Sequence, residues 1–377
     1  MVEHLHQPLV DIVIPVHSTS RPLQRAVASA LRAAPGAAPG QCRVTVVAHH
    51  LTAEQVYSML SAEQRAVVHV VESEDRGSTA AVPRNEALRR TTARYISFLD
   101  SDDTLDPGAV TRWLRIAERR GSDLVMPFQH HENPRVDITP IVRPLRRSDL
   151  DPVKDRLGYR STAFGLIRMS AVRRTGARFD ESARTGEDQS FVMALYTGAH
   201  RIDLAPGLPG VLMHADGTDR VSRQLLPIRE TVAAALDLGR EHWFAGVPDE
   251  LKRSYILKYI RVNFFPVLEH AVRSGVWDAD YARSANAVFE ELTQYAPHVT
   301  DQLSRADLRV ALLLSPGAGE RELLAALAER RRYTTPGALL TERWTRVLGR
   351  QAPLRVVAAS AVQMLRYRWA LAAGSRN

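Results

Sequence analysis

Over the first 110 residues the apolar positions alternate between two periods. The stretches "VDIVIPV" (10–16), "RVTVVAH" (43–49), "AVVHVVE" (66–72) and "YISFL" (95–99) are short, nearly continuous apolar runs rich in β-branched residues. They predict four buried strands, the first ended by Pro15 and the turn "HSTSRP". Between them, "RPLQRAVASALRAA" (21–34) has apolar residues at 23, 27, 30 and 31, which is helical spacing. "AEQVYSMLSAEQ" (53–64) and "PRNEALRRTT" (83–92) predict two further helices, the second with Pro83 at its start. Strand and helix in alternation predict an α/β fold, a mostly parallel sheet with helices on both faces. Such sheets bind ligands beyond the carboxyl ends of their strands. A helix over 106–121 with Gly121 as its C-cap and a strand over 123–129 follow. Residues 130–160 are rich in Pro and Arg and show no clear period, and from about 225 the pattern is helical nearly throughout. The predicted organisation is an α/β domain over 1–224 and an all-helical domain over 225–377, without internal repeats.

Composition adds three constraints. A chain of 377 residues suggests two domains, and 24% charged residues are those of a folded protein. The single cysteine, Cys42, excludes an internal disulfide framework and a cysteine-based zinc site. The charge is uneven: residues 1–301 hold 37 basic and 37 acidic residues, whereas 302–377 hold 13 and 5. The C-terminal segment therefore carries the whole excess of +8. A basic segment of this kind favours an anionic surface (membrane headgroups, an acidic polymer or nucleic acid), and an ordinary solvated face is the plainer alternative. The opening residues contain acids and lack a cationic start followed by an apolar core, and no run of about 18 uncharged apolar residues occurs. The expectation is a cytoplasmic protein.

The fourth predicted strand ends abruptly in "DSDD": Asp100, Asp102 and Asp103 follow Leu99 with no basic residue among them. Carboxylates this close repel unless a positive group is shared between them. Hard oxygen ligands at a strand end suit Mg²⁺ or Mn²⁺. If the segment stays extended, Asp100 and Asp102 face the same side. The alternative is a solvated acidic turn leading to a helix capped by Asp106. Farther along, "RTGEDQSF" (184–191) places Glu187 and Asp188 at the start of a predicted helix. Acids there are favoured by the helix dipole alone, and a carboxylate in a closed site also serves as a general base.

Three stretches, "VDIVIPVHSTSRPLQRAVASAL", "RNEALRRTTARYISFLDSDDTLDPGAV" and "FDESARTGEDQSFVMALYTGA", together resemble the family 2 glycosyltransferases of GT-A fold over roughly residues 8–220. The resemblance implies a cytoplasmic enzyme that transfers a sugar from a nucleoside diphosphate donor, expected to be a UDP-sugar, to a hydroxyl of a glycan or cell-surface glycopolymer, with inversion. It implies Mn²⁺ or Mg²⁺ at Asp102 and Asp100, with His214 approaching the metal. Pro15, Val16, His17, Arg84, Asn85 and Ser101 would border the nucleotide, and Arg220 and Ser222 the phosphates. Asp188 would be the catalytic base and Glu187 its neighbour, while Phe164 and Gly165 line the acceptor pocket or pack in the core.

One departure from the family pattern stands out. Many members carry acids after the second strand, where this chain has His49 and His50 in "VVAHHLT". Asp75, after the third strand, is the expected substitute, and the identity of the nucleotide base stays open. Trp243, Phe264, Phe265, Trp277 and Tyr281 read as core of the helical region. The helix predicted over 352–373 carries Arg355, Arg366 and Arg368 beside apolar residues. It either docks on the protein or a second subunit, or lies peripherally at the inner membrane face. The basic tail also suits an anionic glycopolymer acceptor. A non-catalytic glycan- or nucleotide-binding protein of the same fold is the competing reading. Nucleic acid is not an expected partner, because the tail's basic residues form no recognised reading motif.

Overall fold

The computed structural model describes residues 7–36, 40–74, 77, 79–132, 136–215, 226–315, 317 and 319–374. Asp75, Arg220, Ser222 and the expected domain boundary at 224 lie outside the described residues.

The strands in chain order are β1 (Val10–Val16), β2 (Cys42–Ala48), β3 (Val68–Glu72), β4 (Tyr95–Phe98), β5 (Thr104–Leu105), β6 (Leu124–Pro127), β7 (Gln129–His131), β8 (Val136–Asp137), β9 (Leu166–Arg168), β10 (Ile202–Ala205) and β11 (Val211–Met213). Seven form one sheet in the order β10-β6-β9-β4-β1-β2-β3. All its pairings are parallel except those of β9, which runs antiparallel to both β4 and β6. The other four build a small second sheet in the order β5-β11-β7-β8.

Alternation along β1 divides the core. Val10, Ile12, Ile14 and Val16 enter one apolar cluster with Trp113, Tyr95 and Leu99, covered by helices Leu23–Arg32 and Ala109–Arg120. Val13 and Phe98 point to the other face, into a cluster that continues without a break through the helices beyond Ile228. Phe264, Phe265 and Trp277 are buried there, as predicted from the sequence.

Three elements differ from the sequence expectation. The helix expected over 53–64 is two, Ala53–Ser58 and Ala62–Arg65, because Ser61 accepts from the Gln64 N–H and opens a second capping box. Helix Ala81–Arg90 starts two residues before Pro83, whose missing N–H falls in the first turn where none is needed. Helix Ala109–Arg120 is not capped by Asp106. Gly108 in the left-handed region begins it, while Asp106 accepts from the Gly210 N–H at 2.8 Å.

The last helix, Pro353–Gly374, docks on the protein through one face. Gln363 donates to the carbonyls of Ile138 and Pro140 and accepts from the Val142 N–H. Tyr367 packs on Phe128 with ring centroids 4.9 Å apart. Among the described residues, no helix is long and apolar enough to cross a membrane.

Candidate active site

The carboxyl ends of β1 and β4 lie side by side, because Val13 registers with Phe98. β1 delivers Pro15, Val16 and His17 to this edge, with Val16 buried and His17 exposed. β4 delivers the acids, but not through an extended segment. The chain turns at Ser101 and Asp102, and the Asp103 N–H donates to the Asp100 carbonyl at 3.1 Å. This turn, not strand alternation, gathers the carboxylates. Asp100, Asp102 and Asp103 each offer an oxygen within 4.8 Å of the others.

In this structure the positive charge between them comes from arginine. Arg21, in the turn after β1, donates to Asp102 Oδ2 at 2.8 Å, and Arg25 donates to the Asp102 carbonyl at 2.5 Å. Arg84 donates from Nη2 to Asp100 and from Nη1 to Glu187, both at 2.6 Å. Burial works against the charged form of Arg84, and the carboxylates of Asp100, Asp188 and Glu187 outweigh it and hold the guanidinium protonated. Asp103 is buried and accepts from the His214 N–H at 3.0 Å, which ties β4's end to β11.

Asp188 opens helix Asp188–Gly198 just after Glu187. One of its oxygens, Oδ2, accepts from the Ala163 N–H at 3.0 Å. The other, Oδ1, is covered and makes no hydrogen bond, with Arg84 Nη1 3.7 Å away. Burial pushes the Asp188 carboxyl up, and repulsion from Glu187 and Asp100 adds to it. Arg84 and the Ala163 N–H pull the other way, and the result is about 7. This carboxylate therefore titrates near neutrality with one oxygen uncommitted, which suits a proton acceptor.

The remaining predicted residues have defined places. Asn85 is committed to the chain preceding Glu187: it donates to the Phe179 carbonyl and to Glu181, and accepts from the Phe179 N–H. Ser101 is buried in the acidic turn. His214 bonds Thr104 through Nε2 at 3.0 Å and Glu132 through Nδ1 at 2.7 Å, so each ring nitrogen has a partner other than Asp100 and Asp102. Phe164 is buried in the core. Gly165, at φ +136°, leaves no room for a Cβ, which would meet the Val125 carbonyl oxygen at 2.3 Å. Sequence reasoning missed Arg21 and the Ala163 N–H. Nothing local marks either, since their partners are 81 and 25 residues away.

Residues 11–176 match the family described as "Glycosyl transferase family 2". That match covers 166 of the chain's 377 residues. Among curated proteins, this chain is 25% identical over 138 residues to a poly(ribitol-phosphate) beta-glucosyltransferase of Bacillus spizizenii, covering 37% of this chain and 22% of that one. It is 20% identical over 185 residues to the poly(ribitol-phosphate) beta-N-acetylglucosaminyltransferase TarP of Staphylococcus aureus, covering 49% of this chain and 56% of TarP. The chain thus spans about a fifth and just over half the length of these two relatives. Among solved structures, S. aureus TarS 1–349 in complex with UDP-GlcNAc superposes with a TM-score of 0.68 at 13% identity, over 86% of this chain and 91% of that one. That likeness is one of fold, and it takes in both the GT-A-like sheet region and the helical C-terminal region.

Proposed function

We propose that this protein is an inverting, metal-dependent glycosyltransferase that moves a sugar from a UDP-sugar to a hydroxyl of an anionic cell-surface glycopolymer. The observation that carries the reading is Asp188 Oδ1, an uncommitted carboxylate oxygen that titrates at about 7 beside the acidic turn. In direct inversion the acceptor oxygen attacks the anomeric carbon, its proton passes to Asp188, and the bond to the diphosphate breaks with the charge leaving on phosphate. Arg84 supports this arrangement by holding Asp100 and Glu187 at fixed positions on either side. Pro15, Val16, His17 and Ser101 border the same strand ends and are suited to the nucleotide.

The three carboxylates of the turn are hard oxygen donors close enough to share one ion, so they fit Mn²⁺ or Mg²⁺. Asp102 and Asp100 would hold it, and bound there it would supply positive charge to the departing diphosphate. The two relatives are poly(ribitol-phosphate) glycosyltransferases, which supports a polyol-phosphate acceptor, and the UDP-GlcNAc complex of TarS supports a UDP-linked donor. Exposed Leu365 and Trp369 on the last helix, flanked by Arg355 and Arg368, support peripheral contact with an anionic membrane surface.

The test is a panel of nucleotide sugars, with and without Mn²⁺, against a polyol-phosphate polymer and neutral glycans, with the product's anomeric configuration read by NMR. The reading requires an inverted linkage on the anionic polymer. Transfer with retention, or to no acceptor in the panel, contradicts it.

A further inference from the structure

We infer that the arginine-lined cavity at the carboxyl ends of β6 and β10 binds a phosphodiester of the acceptor polymer. This rests on the anionic acceptor proposed above and names the part of the protein that would grip it.

The cavity has a volume of about 180 Å³ and is lined by Arg112, Arg146, Arg147, Arg366 and Tyr367, among others. A water occupies about 30 Å³ of liquid, so the space accommodates a tetrahedral phosphate with a few waters. Its charge is poorly compensated. Arg146 pairs with Asp149 at 3.2 Å, and Arg112 donates to the carbonyls of Pro206, Gly207 and Leu208, which carry no net charge. The side chains of Arg147 and Arg366 make no hydrogen bond or ion pair among the described residues. Arg112 shows the strain of this grouping, since burial and the nearby Arg147 charge pull its guanidinium down.

Two buried polar atoms in the wall lack partners as well: Arg146 Nε and the hydroxyl of Tyr367, a residue only 1% exposed. Like-charged guanidiniums and orphaned donors around one space are each unfavourable for folding alone. A phosphodiester, with one negative charge shared over two oxygens, satisfies both at once through the forked geometry that suits arginine to phosphate.

Position favours a polymer over other anions. The cavity lies beyond β6 and β10, and the acidic turn lies beyond β4, on the same edge of the sheet. β10 is three places from β4, and strands are about 4.8 Å apart, so these two strand ends are about 14 Å apart along the sheet. A chain of phosphodiester-linked units spans that distance while one of its hydroxyls sits at Asp188. A lone phosphate or a membrane headgroup gains nothing from it.

The test compares the full chain with the Arg147→Gln/Arg366→Gln double variant and with Tyr367→Phe. These changes remove no contact within the protein and relieve the repulsion and the orphaned hydroxyl, so the melting temperatures should equal or exceed the parent's. The readouts are direct binding of a polyol-phosphate polymer, the acceptor KM, donor affinity and binding to phosphatidylglycerol vesicles. The expected result is a polymer affinity about tenfold weaker in the double variant and a few-fold weaker in Tyr367→Phe. Donor affinity and use of a short, phosphate-free acceptor stay unchanged. Inorganic phosphate should compete with the polymer on the parent and not on the double variant. Unchanged polymer affinity in the double variant overturns the inference, and so does a loss of vesicle binding alone. The binding arm needs no turnover. If the parent transfers sugar to no polymer, the proposed function fails while polymer binding still decides the cavity's role.

Discussion

Arg84 Nη2 lies 2.6 Å from Asp100 Oδ1, and this pair joins the two halves of the candidate site. The same guanidinium reaches Glu187 at 2.6 Å, so one buried cation holds the acidic turn after β4 against the start of the Asp188 helix. Removing it would leave three mutually repelling carboxylates in a largely covered space. Arg84→Ala is expected to cost about 3–5 kcal/mol of stability, the range for stripping one partner from a buried ion pair. Arg84→Lys should recover only part of this, because an ammonium cannot fork to both carboxylates. Urea unfolding checks the expectation, and an unchanged midpoint for Arg84→Ala would contradict it.

The Asp188 carboxyl, raised to about 7, sets the pH behaviour. As base it must be ionised, so the transfer rate should rise with pH through about 7 and then level off. Stability runs in the opposite sense. Between the ordinary aspartate value of 3.8 and about 7 the folded state keeps a proton that the unfolded state has lost. This group's contribution to stability is therefore greatest below about 4 and declines as pH rises to about 7. The slope of melting temperature against pH over that window should flatten in Asp188→Asn. Identical slopes in parent and variant would place the titration elsewhere.

Gly186 sets the geometry of the two acids that follow it. Its φ is +77°, and an added Cβ would lie 2.4 Å from Gln189 Nε2 and 3.2 Å from Ala234 Cβ. Gln189 is not free to yield, because it accepts from the buried Tyr255 hydroxyl at 2.5 Å. Gly186→Ala should lose about 1–3 kcal/mol of stability and reduce turnover more than donor affinity. Calorimetry with steady-state kinetics reads both, and a variant with parental turnover would show that the turn tolerates displacement.

The last helix offers a separate surface. Val362, Leu365 and Trp369 are 39%, 60% and 81% exposed, and their three- and four-residue spacing puts them on one stripe away from the docked Gln363 and Tyr367. Vesicles containing phosphatidylglycerol should bind the full chain. A Leu365→Ser/Trp369→Ser variant should bind them at least tenfold more weakly with its melting temperature unchanged. Equal binding by the two proteins would leave the stripe without a membrane role.

Much of the fold was legible where burial is continuous or a cap is local. β1 and β4 showed as nearly continuous apolar runs, and Gly121 ends its helix in the left-handed region as expected. The antiparallel β9 and the second sheet were not legible, because strands of two or three residues carry no measurable period. The acidic turn was read as important, but its geometry was misjudged: a hydrogen bond from Asp103 to Asp100 curls a segment expected to be extended. The arginine partners were invisible for another reason. Arg21 and Arg84 reach acids 81 and 103 residues away, and only the assembled sheet brings those ends together.

The most direct measurement compares Asp188→Asn with the parent in transfer from a UDP-sugar to a polyol-phosphate polymer, with donor affinity measured in parallel. Loss of a general base costs about 10²–10⁴-fold in rate. The account predicts a fall in turnover within or beyond that range with donor affinity preserved. Turnover within a few-fold of the parent would contradict it.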